Sequence, residues 1–304
     1  MPKGKATTLT LGLILLWCSQ QASAEVYGSG WYRELQVVAG HEDNISRSFY
    51  SGDELSDQAL TVSIGGGHSE NVRGNARFVM FGYISATRQE EFTDLDRLAT
   101  SAGILYTVQP NPGYGTVWYR SKASATLLNY RDSDEREGLL LQGDVSVNKR
   151  LTTSTIGRIG YRYNDLMFVG KSGSEEDNDA AFDTAVHEIY FGLDHQLSNR
   201  MSTYAEYAYR DGGVWSNASF KAGLPQYDAE TIDRVFDDCS PDDLRCVPRY
   251  AGRTTGQIHN LNLGVVFPFR AVNIDLSATY YYVDGDNDET YKNWLFNAGL
   301  IWNF

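Results

Sequence analysis

The closing segment of the chain, residues 292–304 (KNWLFNAGLIWNF), alternates so regularly that it restricts the fold more than any other feature. In an extended chain Trp294, Phe296, Ala298, Leu300, Trp302 and Phe304 fall on one face, and Asn293, Asn297, Gly299 and Asn303 on the other. A period of two describes a strand with an apolar and a polar side. Large aromatics at both ends of the apolar side are what two water–lipid interfaces select, so Trp294 and Trp302 mark the edges of a hydrocarbon band.

The opposite end of the chain carries an independent signal. Lys3 and Lys5 precede an apolar core over residues 9–17, and Ala22-Ser23-Ala24 supplies a small-x-small cleavage pattern before Glu25. This reads as a secretory signal peptide over residues 1–24. The apolar core is too short to span a bilayer as a helix, and in the lipobox candidate Leu15-Leu16-Trp17-Cys18 a bulky Trp stands where a small residue belongs. Removing Lys3 and Lys5 moves the formal charge from −13 to −15, which makes nucleic acid an improbable partner. Cys18 leaves with the leader, so Cys239 and Cys246 are the thiols of an exported chain, where a disulfide between them is expected. It would pin a local turn.

No later stretch reaches the length of apolar run a spanning helix needs. If residues 25–304 enter a membrane they do so as strands, and only a closed barrel then satisfies every backbone group. Twelve period-two segments are legible, at about 31–41, 58–67, 75–87, 98–109, 115–130, 138–149, 154–163, 185–195, 200–210, 256–267, 271–283 and 292–304. Outward parity is clean in the last five. It is ambiguous in the third and fourth, where Phe78, Val79, Met80 and Phe81 run together, as do Ile104, Leu105 and Tyr106. The connections alternate between short and long, the long ones near 42–57, 88–97, 131–137, 164–184, 211–255 and 284–291, which places both termini and the short turns on one side. A soluble β-sandwich also alternates, but it does not require a leader or outward Tyr in this number.

A chain ending on an outward aromatic strand resembles the Gram-negative outer-membrane β-barrel superfamily. The resemblance implies an all-β, closed antiparallel barrel of about twelve strands in the outer membrane, in contact with lipid and lipopolysaccharide. It also implies a terminal strand, ending in Phe304, that is read by the barrel assembly machinery. The expected girdle comprises Tyr207, Tyr209, Tyr280, Tyr282, Trp294, Trp302 and Phe304.

Placing polar faces inward assigns Arg77, Arg120, Lys122, Arg158 and Arg162 to the lumen, with Glu188, Glu206 and Asp275, joined by Asp144, Asp194 and Glu34. Cations on one wall facing carboxylates across a pore would set up a transverse field favouring polar solutes. Arg120, Lys122, Arg158 and Arg162 loosely resemble the basic tracks of twelve-stranded channels for acidic oligosaccharides. Inward Tyr32, Tyr190, Tyr204 and Tyr281 resemble the lumenal aromatics of nucleoside channels. The expected function is a passive channel for a small polar or charged solute. The alternative is a blocked barrel with a structural, surface-polymer or partner-docking role, its lumenal charges pairing and filling the interior.

An outer-membrane enzyme is the minority reading. His187 and His259 face outward near the outer rim, where strand nine offers Tyr207 and Tyr209 and no Ser, and neither GxSxG nor HExxH occurs. Neither a catalytic residue nor a cofactor is assigned. Asp284, Asp286, Asp288 and Glu289 resemble the start of a calcium loop, but Gly285 is misplaced and no closing Glu follows, so no metal site is assigned. Loop 211–255 holds Trp215, Phe220, Tyr227, Phe236 and Tyr250, with Asp237, Asp238, Asp242 and Asp243 around Cys239. Its aromatic content predicts that it folds over or into the pore mouth.

Overall fold

The computed structural model describes residues 29–72, 75–111, 113–133, 136–168, 184–219, 231–232, 234–236, 249–285 and 290–304. The leader, Cys239 and Cys246, Phe220, Tyr227, Asp237, Asp238, Asp242, Asp243, Asp286, Asp288 and Glu289 lie outside the described residues.

Thirteen strands are described: β1 (Gly30–Glu42), β2 (Asp57–Val72), β3 (Ala76–Gln89), β4 (Arg97–Val108), β5 (Val117–Tyr130), β6 (Gly138–Arg150), β7 (Thr155–Phe168), β8 (Thr184–Ser198), β9 (Met201–Ser219), β10 (Thr231–Ile232), β11 (Arg249–Phe269), β12 (Val272–Gly285) and β13 (Thr290–Asn303). Each long strand pairs antiparallel with the next, β9 pairs with β11, and β13 returns to β1 with Glu34 opposite Asn303. Twelve strands thus close a ring with no free edge, while the two-residue β10 pairs with β11 beside Tyr250 and Ala251. Closure is completed by two backbone bonds, Arg33 N–H to Phe304 O at 3.2 Å and Phe304 N–H to Arg33 O at 3.1 Å.

Exposure alternates along the strands and settles the faces. Leu60, Val62, Ile64, Ile84, Leu98, Ile189, Phe191, Leu193, Leu263, Leu276 and Leu300 are exposed on the outside, a continuous apolar band. Aromatics bound it. Tyr280 meets Trp294 at 4.7 Å toward the long-loop rim, and Trp302 meets Phe304 at 5.9 Å at the other. Trp294 and Trp302 are eight residues apart, about 27 Å along the strand and about 20 Å of height at a tilt near 40°. This is the architecture of a membrane-spanning barrel of the outer-membrane kind.

Two expectations are corrected and one ambiguity is resolved. The span 211–255 is not all loop: β9 and β11 stay in register from Ser202 opposite Val266 to Ser219 opposite Arg249, so Trp215 and Tyr250 belong to strands. Gly212 and Gly213 lie inside β9 and form no turn. Gly212 instead sits at φ +147° where a Cβ would lie 2.2 Å from Ala185 O, so a close strand approach, and no turn, requires it. The 164–184 connection also shortens, because β7 continues to Phe168. In β3 and β4 the odd positions face inward: Val79 and Leu105 are buried, and Met80 and Ile104 are half exposed.

Candidate pore and its charged interior

The register brings opposite charges side by side. Lys122 of β5 faces Asp144 of β6, Asp144 faces Arg162 of β7, Arg162 faces Glu188 of β8, and Glu188 faces Arg210 of β9. The signs alternate round the wall. Arg162 binds Glu188 through Nη1, reaches Glu206 at 3.3 Å and has Asp144 3.7 Å from Nε; Arg210 Nε donates to the other oxygen of Glu188. Arg162 is 2 % exposed and Glu188 0 %, so breaking one member would strand a charge in a low-dielectric interior. Nearer the short turns, Arg158 pairs with Asp194 at 3.3 Å and Glu206 at 3.4 Å.

The expected opposition of a basic and an acidic wall is therefore replaced by pairing along neighbouring strands. Two residues an even number apart on one strand share a face, but which strand position lies beside them depends on register. Arg210 belongs to this ladder and sequence reading did not single it out.

Tyrosines complete the layer by lying over glycines. The Tyr190 ring rests on its register partner Gly160, where a Cβ would be 2.4 Å from Cζ, and its hydroxyl donates to Asp144 at 2.8 Å. The Arg162 guanidinium stacks 4.5 Å from the same ring. Tyr204 repeats the arrangement over Gly264 and donates to Asp275 at 3.1 Å. A glycine opposite each ring is the space the ring needs.

The remaining predicted residues are placed as follows. Arg77 donates from Nε to Ser69 Oγ at 2.7 Å, and Lys122 lies 5.4 Å from the centre of the Phe81 ring. Arg120 has no ion-pair or hydrogen-bond partner among the described residues. It lines two cavities that open at the short-turn end, of about 580 and 450 Å³.

A third cavity, of about 280 Å³, opens on the long-loop side. Its surround is built by loops that fold inward. Residues 43–56 are held by Asn44, whose Nδ2 donates to Ser48 O at 2.9 Å and whose Oδ1 accepts from Ser48 N at 3.0 Å. Asn217 Nδ2 then donates to Ser46 O at 2.9 Å, tying this loop to β9. Arg47 within it adopts φ 53°, a left-handed conformation that costs a non-glycine residue about 1–2 kcal/mol, and its guanidinium lies 4.1 Å from the Trp215 ring. Phe236 is 4 % exposed and meets Phe92 edge-on at 5.0 Å in a cluster with Ile45, Leu95, Leu128 and Tyr130. The segment between β9 and β11 thus returns to the mouth at Val235 and Phe236, and the first loop shares the covering.

The two outward histidines are held by tyrosines. His187 Nδ1 shares a hydrogen bond with Tyr161 Oη at 2.6 Å and lies 5.0 Å from the Tyr163 ring, while His259 Nδ1 shares one with Tyr207 Oη at 2.7 Å. Tyr209 and Tyr282 lie 5.5 and 6.1 Å from His259. Asp211 stands opposite His187 in register with no hydrogen bond between them. Among the described residues no group of three or more His, Cys, Asp and Glu side chains could hold a metal.

No family model matches this sequence, and no curated protein does. Solved structures share the barrel at very low identity. The NanC porin aligns over 88 % of this chain and 98 % of its own at 9 % identity and a TM-score of 0.44. The translocator domain of autotransporter NalP from Neisseria meningitidis covers 94 % and 92 % at 14 % identity and 0.41. A mutant of the TodX monoaromatic hydrocarbon channel covers 93 % and 92 % at 11 % identity and 0.43. A porin, a translocator domain and a hydrocarbon channel are different in role, and nothing about this chain's cargo rests on them.

Proposed function

We propose that this barrel is an outer-membrane channel for passive diffusion of small polar or charged solutes, its lumen stepped into an outer and an inner vestibule about the Arg162 layer. One observation carries the reading. Arg120 stands on the inner wall with no partner among the described residues and lines both inner cavities. An arginine that makes no close ion pair inside a barrel, with Asp194 acting on it only at longer range, is tolerable where water and solute reach it. Cavities lined by charged, polar and apolar side chains open from both rims, as passage requires.

The test is reconstitution of the purified barrel into planar bilayers. Stepwise ion current that changes its anion–cation preference in Arg120→Glu supports the channel. No current, together with no solute flux in liposomes, overturns it.

A specific feature favours a second reading, a non-conducting barrel that docks a partner or surface polymer. The layer of Asp144, Arg162, Glu188 and Tyr190 is buried and mutually paired, as a plug would be. An enzymatic role is the least supported, since the hydrogen bonds of His187 and His259 go to tyrosines.

A further inference from the structure

The outer cavity collects positive charge in a protein that has little to spare. The chain carries 26 Lys and Arg against 39 Asp and Glu. Yet among the described residues the lining of this cavity includes Arg47, Arg97, Arg136, Arg162 and Arg210 beside one carboxylate, Glu42. Arg162 and Arg210 are committed to Glu188. Arg47 and Arg97 are less committed: neither makes a close ion pair among the described residues, although Arg47 acts on Glu42 at longer range. Arg97 is 8 % exposed, its Nη atoms donate to the Tyr130 and Thr87 hydroxyls at 3.4 Å, and its Nε has no partner. A buried guanidinium that meets only neutral oxygens is a site arranged for an anion that arrives from outside.

The rest of the described lining mixes polar side chains, Thr126, Gln142, Asn164, Thr184 and Asn293, with apolar ones, of which Leu128, Tyr130 and Trp215 pack in one cluster and Val214 in another. The inward loop that carries Arg47 is braced by the buried side chains of Asn44, Ser46 and Asn217, so little ordering remains to be done on binding. A cavity near 280 Å³ accommodates a one-ring solute.

We infer that the outer cavity is a binding site for a small organic monoanion, an aromatic or similarly compact carboxylate. Its carboxylate is taken by Arg47 and Arg97, and its apolar body lies against Trp215 and Leu128. This deepens the channel reading and rests on it only in supposing that solute enters the lumen from the outer side.

The full-length barrel in detergent micelles is titrated with benzoate, followed by calorimetry and by tryptophan fluorescence. Saturable benzoate binding is expected, with acetate, benzyl alcohol and benzylammonium each at least about tenfold weaker, because each lacks the ring or the negative charge. Arg97→Gln and Arg47→Gln each weaken benzoate by about tenfold, while Arg97→Lys, which keeps the charge but not the guanidinium fork, binds more tightly than Arg97→Gln and more weakly than the unaltered barrel. Absent binding, equal binding of benzylammonium, or unchanged affinity in the glutamine variants overturns the site. Ion current without benzoate binding removes the site and leaves the channel; saturable binding by a barrel that passes no current removes the channel and leaves the site.

Discussion

Tyr190 and Gly160 are register partners across β7 and β8, and the tyrosine ring occupies the volume that any side chain on residue 160 would need. The contact places the Tyr190 hydroxyl on Asp144 and the ring face under Arg162. Gly160→Val should therefore displace the ring and cost about 1–3 kcal/mol of stability, read as a lower urea midpoint. Combined with Tyr190→Ala the penalty should shrink, and a fully additive double variant would contradict the contact.

Arg162 holds three carboxylates together, so Arg162→Gln should destabilise the barrel by about 3–5 kcal/mol through the charges it abandons. Folded and unfolded forms separate by mobility on unheated gels, which makes the transition measurable. Arg162→Gln combined with Glu188→Gln should recover part of the loss. No recovery would mean that the pair is not the source of the effect.

Leu276 lies opposite Ala298, midway between Trp294 and Trp302 on the outer face. An arginine there meets hydrocarbon near the bilayer centre, and Leu276→Arg should cost about 2–4 kcal/mol in lipid vesicles. Ser277→Arg, one residue away on the inner face, should cost less. The reverse order would invert the assigned parity.

Phe236 covers the outer mouth against Phe92. On the channel reading, Phe236→Ala should raise single-channel conductance with little change in ion preference. Unchanged conductance would place the limiting constriction elsewhere.

Phe304 supplies the last pair of backbone bonds that join β13 to β1, and deleting it should lower the yield of folded, membrane-inserted barrel in cells. A deletion that assembles at the normal level would show that the terminal strand is recognised through other residues.

How far the structure could be read in advance differs by element. In β13 the outward positions Trp294 to Phe304 and the inward Asn293 and Asn297 are as expected, because alternation is a local property of a strand in contact with lipid on one side. The reading failed where the local pattern was silent. The short mixed run after Gly213, Val214 to Ser219, hid the extension of β9, since strands beyond the bilayer need no apolar face. Arg47, Arg97 and Arg136 lie in or beside loops, and no period marks them.

The sequence by itself determined that the chain alternates, that one face suits lipid, and that the ends bear interfacial aromatics, because solvent acts on each residue separately. Only the tertiary structure decided which charges meet. Placing Arg162 beside Glu188 and Asp144, Tyr190 over Gly160, and Arg47 over Trp215 depends on strand register and on how the loops fold inward. Those are relations between distant residues, and a slip of one position would turn the strand residues among them to the opposite face.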